Sequence, residues 1–358
     1  MTHEDIILSI NNLAISFKSF SGRVRALRGV TIDVVRGKTI AIVGESGSGK
    51  SVTVKTIMRI LSKNEKIESG SIVFNNKRDN EIVPIDLLKL SNKHMQREIK
   101  GKKIAMIFQD PMTSLDPTMK IGKQILEAIF AHKKIKLKAA VEQVHQLLET
   151  VGIKNIKAVM NAYPYQLSGG MRQRIVIAIA ISCEPDLLIC DEPTTALDVT
   201  IQSKILDLIK KIQKARNLSV IFITHDLGVV SRIADQVYVM YAGKIVEYGT
   251  CNDIFYDPRH PYTWGLLEST PDMAYLQERL ASIPGTPKRM IGDVKGDQFA
   301  ERNRYALNID FRMEPPFFKV NDHHFAATWL LHPKAPQIRI PESLRKRIDL
   351  MKEENRNG

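Results

Sequence analysis

Short apolar runs and helical repeats alternate through the first 250 residues of the chain. Residues 39–43 (TIAIV), 104–108 (IAMIF), 187–190 (LLIC), 220–224 (VIFIT) and 237–241 (VYVMY) are almost wholly apolar. Their length and their Val, Ile and Phe content predict buried strands rather than helices. Residues 50–61, 121–151, 170–182 and 200–216 lie between them and repeat their apolar positions at helical spacing. Strands alternating with helices predict an α/β layer structure around a largely parallel sheet. Residues 121 to about 183 hold two long helical patterns and no strand, so a helical subdomain is expected there. After Phe255 the texture changes. Pro258, Pro261, Pro271, Pro284, Pro287, Pro315 and Pro316 crowd in, and long periodic segments end. A large domain over 1–255 and a smaller one over 256–358 are expected, with the charged stretch 345–358 frayed.

Composition narrows the class. The chain has 358 residues, 44% hydrophobic and 25% charged, an ordinary globular balance with room for these two domains. No apolar run approaches the ~18 residues that span a bilayer, and the longest, 175–181, reads as a buried helix segment. The first residues, MTHEDIILSI, are acidic and lack a basic-then-apolar leader, so a cytoplasmic location is expected. Cys183, Cys190 and Cys251 are the only cysteines and form no CxxC pair, which argues against a disulfide framework or a zinc site. The net charge of +13 suits nucleic acid, anionic lipid or a nucleotide equally. The basic runs 100–103 (KGKK) and 133–138 (KKIKLK) read as solvated helix faces.

The chemistry starts at Gly44, where GESGSGKS matches GxxxxGK[ST] directly after the TIAIV strand and before a helix. Glycines there let backbone N–H groups turn inward around phosphate oxygens, and the helix adds the positive end of its dipole. Gly44, Glu45, Ser46, Gly47, Ser48, Gly49, Lys50, Ser51 and Val52 are therefore candidate phosphate ligands. Lys50 would bridge the outer phosphates and Ser51 would offer a hydroxyl to Mg²⁺. The LLIC strand delivers Asp191 and Glu192 to its C-terminal end, where ligands gather in parallel sheets. Asp191 suits Mg²⁺ coordination through a water. Glu192 suits polarisation of an attacking water. A third motif, LSGGMRQR, opens an apolar helix at Leu167. Ser168, Gly169 and Gly170 make a second anion site on a helix N-terminus. One chain would not bring both sites to one nucleotide, whereas two chains facing head to tail would.

Together these motifs resemble the ABC ATPase nucleotide-binding subunits over residues 5–255, in that family's order. The resemblance implies a P-loop NTPase cassette with a RecA-like core, an antiparallel β subdomain and a helical subdomain at about 121–183, plus a small C-terminal extension. It also implies an ATP sandwich with Mg²⁺. The phosphate loop of one subunit and Ser168, Gly169, Gly170 and Asp198 of the other clamp each nucleotide. Gln109, in IFQDP, resembles the glutamine that contacts Mg²⁺ and water, and His225, after VIFIT, the histidine that contacts the γ-phosphate. Ala196, Leu197 and Asp198 match a further family segment, and Asp198 would cap a helix from Thr200. Phe17, or failing it Phe20, would stack on adenine.

Finer features narrow the group. FQDPMTSLDP, DEPTTALDVTIQ, FITHDLGVVSRIAD and HPYTWGLL are similar to the oligopeptide and dipeptide importer ATPases. Met171 in LSGGM points to the D-type paralogue, close to the Ami variant. The implied partners are a paralogous ATPase subunit, two transmembrane permease subunits docking near 109–123, and indirectly an extracellular peptide-binding protein, with no nucleic acid. The implied location is peripheral, on the cytoplasmic face of the membrane. Rival readings are an importer ATPase for nickel or a sugar, or a non-transport ABC ATPase acting on nucleic acid or the ribosome. Many members of the group bind an iron–sulfur cluster through a GC…RC…C pattern in the extension. Here the corresponding places read Gly296-Asp297, Arg302-Asn303 and Asp310, so no cluster is expected. His323, His324 and His332 are read as ordinary loop histidines rather than metal ligands.

Overall fold

A computed structural model describes residues 5–20, 22–78, 81–195, 197–270, 282–287, 290–292 and 295–357. Ala196, Pro271 and the first residues of the N-terminal stretch lie outside the described residues. In chain order, β1 (Ile6–Ser19), β2 (Gly22–Val35) and β3 (Thr39–Val43) precede α1 (Lys50–Ile57). Next come β4 (Glu65–Arg78), β5 (Glu81–Asp86), the short α2 (Asn92–His94), β6 (Ile104–Ile107) and the short α3 (Pro111–Ser114). Four helices then follow without a strand, α4 (Ile121–His132), α5 (Leu137–Thr150), α6 (Ile156–Asn161) and α7 (Gly169–Ala180). The pattern returns to alternation with β7 (Leu187–Asp191), α8 (Val199–Arg216), β8 (Ser219–Thr224), α9 (Leu227–Ile233), β9 (Gln236–Tyr241) and β10 (Lys244–Thr250). The last described elements are α10 (Cys251–Tyr256), α11 (Pro261–Glu268), β11 (Phe318–Lys319), β12 (Phe325–Ala326) and α12 (Glu342–Asn357).

The chain forms two compact units. The first comprises 1–8, 33–39 and 73–223. Its sheet runs β6, β7, β8 in parallel, with Ile104 opposite Leu187 and Leu187 opposite Ser219. Every residue of β7 and β8 is buried, which is why they read as unbroken apolar runs. The later half of β4 pairs antiparallel with β5. Helix α4 packs against α5, α6 and α7, and α7 also packs on β6 and α8. Ile121, Ile125 and Ile129 on α4, Val144 and Leu148 on α5, and Ile175 and Ile177 on α7 are all buried.

The second unit comprises 9–32, 40–72 and 224–358. Here β3 pairs parallel with β9, and β9, β10, β12 and β11 continue antiparallel. The segment after 255 thus adds two short strands to the same sheet that carries TIAIV. Its core joins Val43, Val239 and Tyr241 to Tyr262, Trp264, Phe299, Leu344 and Ile348.

Three expectations need correction. Helix α1 stops at Ile57, four residues short of the predicted Leu61. Arg59 turns left-handed at φ 49°, and the Ile60 N–H closes back on the Lys55 carbonyl, a helix-ending turn. The basic runs lie mostly off the helices: residues 133–136 connect α4 to α5, with Lys138 alone on α5, and 100–103 form the turn into β6. The stretch expected to be frayed is helical through Asn357 as α12, with Leu344 and Ile348 buried and Met351 packed against the same core at helical spacing.

Candidate functional site

In the second unit the loop after β3 closes tightly. Gly44 has φ 151°, and a Cβ placed there would lie 2.1 Å from the Met240 carbonyl oxygen, so only glycine fits. Lys50, at the first turn of α1, is buried, and its Nζ donates to the carbonyls of Gly44 (2.7 Å) and Glu45 (3.0 Å). Its ammonium is thereby aimed back over the loop. The hydroxyl of Ser48 is buried and makes no hydrogen bond to any described residue. A buried unpaired hydroxyl is costly, and a phosphate oxygen would satisfy it. Ser51 and Val52 follow on α1, half-buried, while Ser46 and Gly47 are exposed. His225 is exposed directly after β8. Phe17 is half-buried on β1, and Phe20 is fully exposed beyond its end.

Glu45 is held from every side. Its N–H donates to the Tyr262 hydroxyl at 2.8 Å, and its carbonyl accepts from the Ser48 N–H at 3.2 Å as well as from Lys50. Its carboxylate receives two hydrogen bonds from Arg302, at 2.6 and 2.9 Å. Neither partner was legible as such in the sequence. Tyr262 belongs to the HPYTW motif, but nothing local to it points 217 residues back to the loop.

In the first unit β7 delivers Asp191, buried, and Glu192 at its end. Glu192 sits at φ 47°, a left-handed backbone that costs a side-chain-bearing residue roughly 1–2 kcal/mol. Its N–H donates to the Ile223 carbonyl at 3.0 Å, which pins it to β8. The exposed Gln109, just past β6, donates from Nε2 to the Glu192 carboxylate at 3.1 Å, and the Thr195 hydroxyl donates at 3.0 Å. The structure thus brings Gln109 and Glu192 together; Thr195 was not singled out. Ser168 caps α7 by accepting from the Met171 N–H at 3.3 Å, and Asp198 caps α8 by accepting from the Ile201 N–H at 3.0 Å. Helix α8 starts at Val199, one residue before the predicted Thr200. The two helix starts abut: a Cβ on Gly170 would lie 2.8 Å from Ile201 Cγ2.

Residues 27–195 match the family model for the ABC transporter, and 246–309 match that for the oligopeptide/dipeptide transporter C-terminal region. The oligopeptide transport ATP-binding protein OppD of Bacillus subtilis is 54% identical over 344 residues, covering 96% of this chain and 94% of that protein. The chain belongs to the ABC transporter family. Its C-terminal segment puts this ABC cassette in the oligopeptide/dipeptide group. The oligopeptide transport ATP-binding protein AmiE of Streptococcus pneumoniae is 50% identical over 354 residues, covering 99% of this chain and 98% of that protein. Among solved structures, an ATP-binding cassette captured as a dimer in a post-hydrolysis state with ADP and Pi matches at TM-score 0.58 and 25% identity. It covers 68% of this chain and 98% of that one. The fold is therefore the P-loop ABC cassette, with its parallel core, antiparallel β subdomain and helical subdomain, followed by the extension.

Ser51, in the second unit, and Asp191, in the first, each carry a hard oxygen of the kind magnesium takes. Among the described residues no cluster of three or more His, Cys, Asp or Glu could hold a metal ion by itself. His324 is fully buried, with Nε2 2.7 Å from the equally buried Glu247, and His332 accepts from the Lys334 N–H. At Asp297, Asn303 and Asp310 the oxygen side chains accept local N–H groups. Asp297 takes that of Phe299 (3.0 Å), Asn303 that of Tyr305 (2.9 Å) and Asp310 that of Leu307 (2.6 Å). Burial pushes the Cys190 thiol well above its usual range, so it stays protonated on β7.

Proposed function

We propose that this chain is the ATP-binding and ATP-hydrolysing subunit that energises import of oligopeptides through an ABC transporter. The observation that carries the reading is the loop after β3, where a buried, unpartnered Ser48 hydroxyl lies before α1 and the Lys50 ammonium, at its first turn, is aimed back over the loop. Gly44, Glu45, Ser46, Gly47, Ser48, Gly49, Lys50, Ser51 and Val52 wrap the phosphates, and Phe17 stacks on adenine. Lys50 and the α1 dipole offset charge that builds on the γ-phosphate, as phosphoryl transfer requires. Ser51, Asp191 and Gln109 would hold magnesium, which would add to the neutralisation of that charge. Glu192 polarises the attacking water, and the Gln109 amide and Thr195 hydroxyl fix its carboxylate. His225 contacts the terminal phosphate. Ser168, Gly169, Gly170 and Asp198 act on the nucleotide held by the other cassette, so each site is complete only in a pair.

The paired cassette is a paralogue, and the pair drives two permease subunits that receive peptide from an external binding protein. Residues 109–123 dock the permease, and the chain lies on the cytoplasmic face of the membrane. Residues 1–255 form the cassette and 256–358 the extension. Among the described residues no helix is long and apolar enough to cross a membrane.

In the assembled transporter, Glu192→Gln is expected to lower ATP turnover by at least ~100-fold, in the range of a lost general base, with MgATP binding retained. Turnover within a few-fold of wild type would remove Glu192 from this role. Uptake of labelled peptide into vesicles, compared with nickel and sugar, tests the substrate. ATP-dependent accumulation of nickel or sugar, and not of peptide, would overturn the peptide assignment.

A further inference from the structure

Arg302 lies in the extension, 257 residues from Glu45, and is 7% exposed. All five of its N–H donors are used. Nε donates to the Pro284 carbonyl at 2.7 Å. One terminal nitrogen donates to Glu45 at 2.6 Å and to the Tyr241 hydroxyl at 3.3 Å. The other donates to Glu45 at 2.9 Å and to the Gly285 carbonyl at 3.3 Å. The guanidinium carbon also lies 5.7 Å from the Tyr241 ring centroid. This is a two-pronged charged contact, the strongest and most directional that a carboxylate makes in a protein.

The frame behind it is rigid. The rings of Tyr241, Tyr262 and Phe299 meet in pairs at 4.6 to 5.3 Å, and all three residues are buried. Tyr262 receives the Glu45 N–H, so the extension holds Glu45 by both main chain and side chain. Glu45 itself poses an electrostatic problem. It is the second residue of a loop read as a cradle for phosphates, and a carboxylate there opposes an anionic ligand. Arg302 cancels that charge and draws the carboxylate onto the extension.

The geometry points to Arg302 as a positioning residue of the phosphate loop, one that makes nucleotide affinity depend on the C-terminal extension. The inference rests on the reading of the loop as an ATP site, and goes beyond it by giving the extension a task in that site. Arg302 touches no reacting atom. It acts through Glu45, and the contact replaces a free negative charge beside the phosphates with a neutral pair.

Calorimetric titration of the full chain with MgATP tests this, with circular dichroism to confirm folding. Arg302→Met is expected to weaken binding about tenfold or more, because it leaves the Glu45 charge uncompensated. Adding Glu45→Gln to that variant is expected to recover most of the loss, which a merely structural role for Arg302 would not produce. Arg302→Lys keeps the charge without the fork and should fall between; it also serves if Arg302→Met does not fold. Affinity of Arg302→Met within twofold of wild type, or of Arg302→Lys should that be the variant measured, would overturn the proposal. So would a loss that Glu45→Gln leaves intact. Absence of MgATP binding by the wild-type chain would sink the ATP reading itself, a result distinct from an unaltered affinity in the variants.

Discussion

Asp297 shows how one carboxyl can make stability depend on pH. Its carboxyl is pushed up to about 6, chiefly by burial, with the Asp310 and Glu314 carboxylates adding to the effect and the Phe299 N–H and Arg28 opposing it. A carboxyl raised in the folded state favours folding below its unfolded value of 3.8, and that advantage is lost as pH climbs through about 6. Near neutrality the chain therefore folds against a half-buried charge. Asp297→Asn keeps the oxygen that accepts the Phe299 N–H and removes the charge. It is expected to stabilise the chain by about 2 kcal/mol at pH 7.5, with the gain vanishing below pH ~4. Thermal unfolding across that pH range checks it, and a gain equal at both ends would contradict the assignment. Asp297, Asn303 and Asp310 also hold the loops of this segment: each side chain closes a turn on a neighbouring N–H.

At the scale of elements, the fully buried strands were the most legible part of the sequence. β3 was predicted to the residue, and β7, β8 and β9 to within one, because strands covered on both faces read as continuous apolar runs. Helix ends were less legible, since the stop after α1 depends on a left-handed Arg59 with no glycine to announce it. Helix α12 was missed altogether. Its stretch is so rich in charge that only three apolar residues, Leu344, Ile348 and Met351, record a buried face. Truncating Leu344 to Ala is expected to cost 2–5 kcal/mol, the range for a buried leucine, measurable by chemical denaturation. A cost near zero would mean that α12 does not pack on this core. The site divides the same way. Gln109 and Glu192 were legible because each motif sets its own strand end, whereas Arg302 and Tyr262 reach Glu45 through tertiary folding that no local spacing encodes.

For the whole molecule, the proposed division of labour between two cassettes has a kinetic signature. If Ser168 and Gly170 complete a neighbour's site, ATP turnover per cassette must climb with concentration and level off once pairs form. Constant turnover down to a dilution at which only single chains remain would refute the pairing. The sheet of the second unit carries a different consequence. β10 is seven residues long, and its outer side is met by β12 at Glu247 and Tyr248. Two-residue strands give little hydrogen bonding, yet they shield a row of main-chain donors and acceptors that would otherwise invite another polypeptide. A chain cut after Met313 would lose β11, β12 and α12 and bare that row. Such a fragment is expected to self-associate into sheet-rich aggregates, detectable by light scattering, while the uncut protein stays dispersed. The tail would then act as a guard on solubility, whatever it contributes to transport.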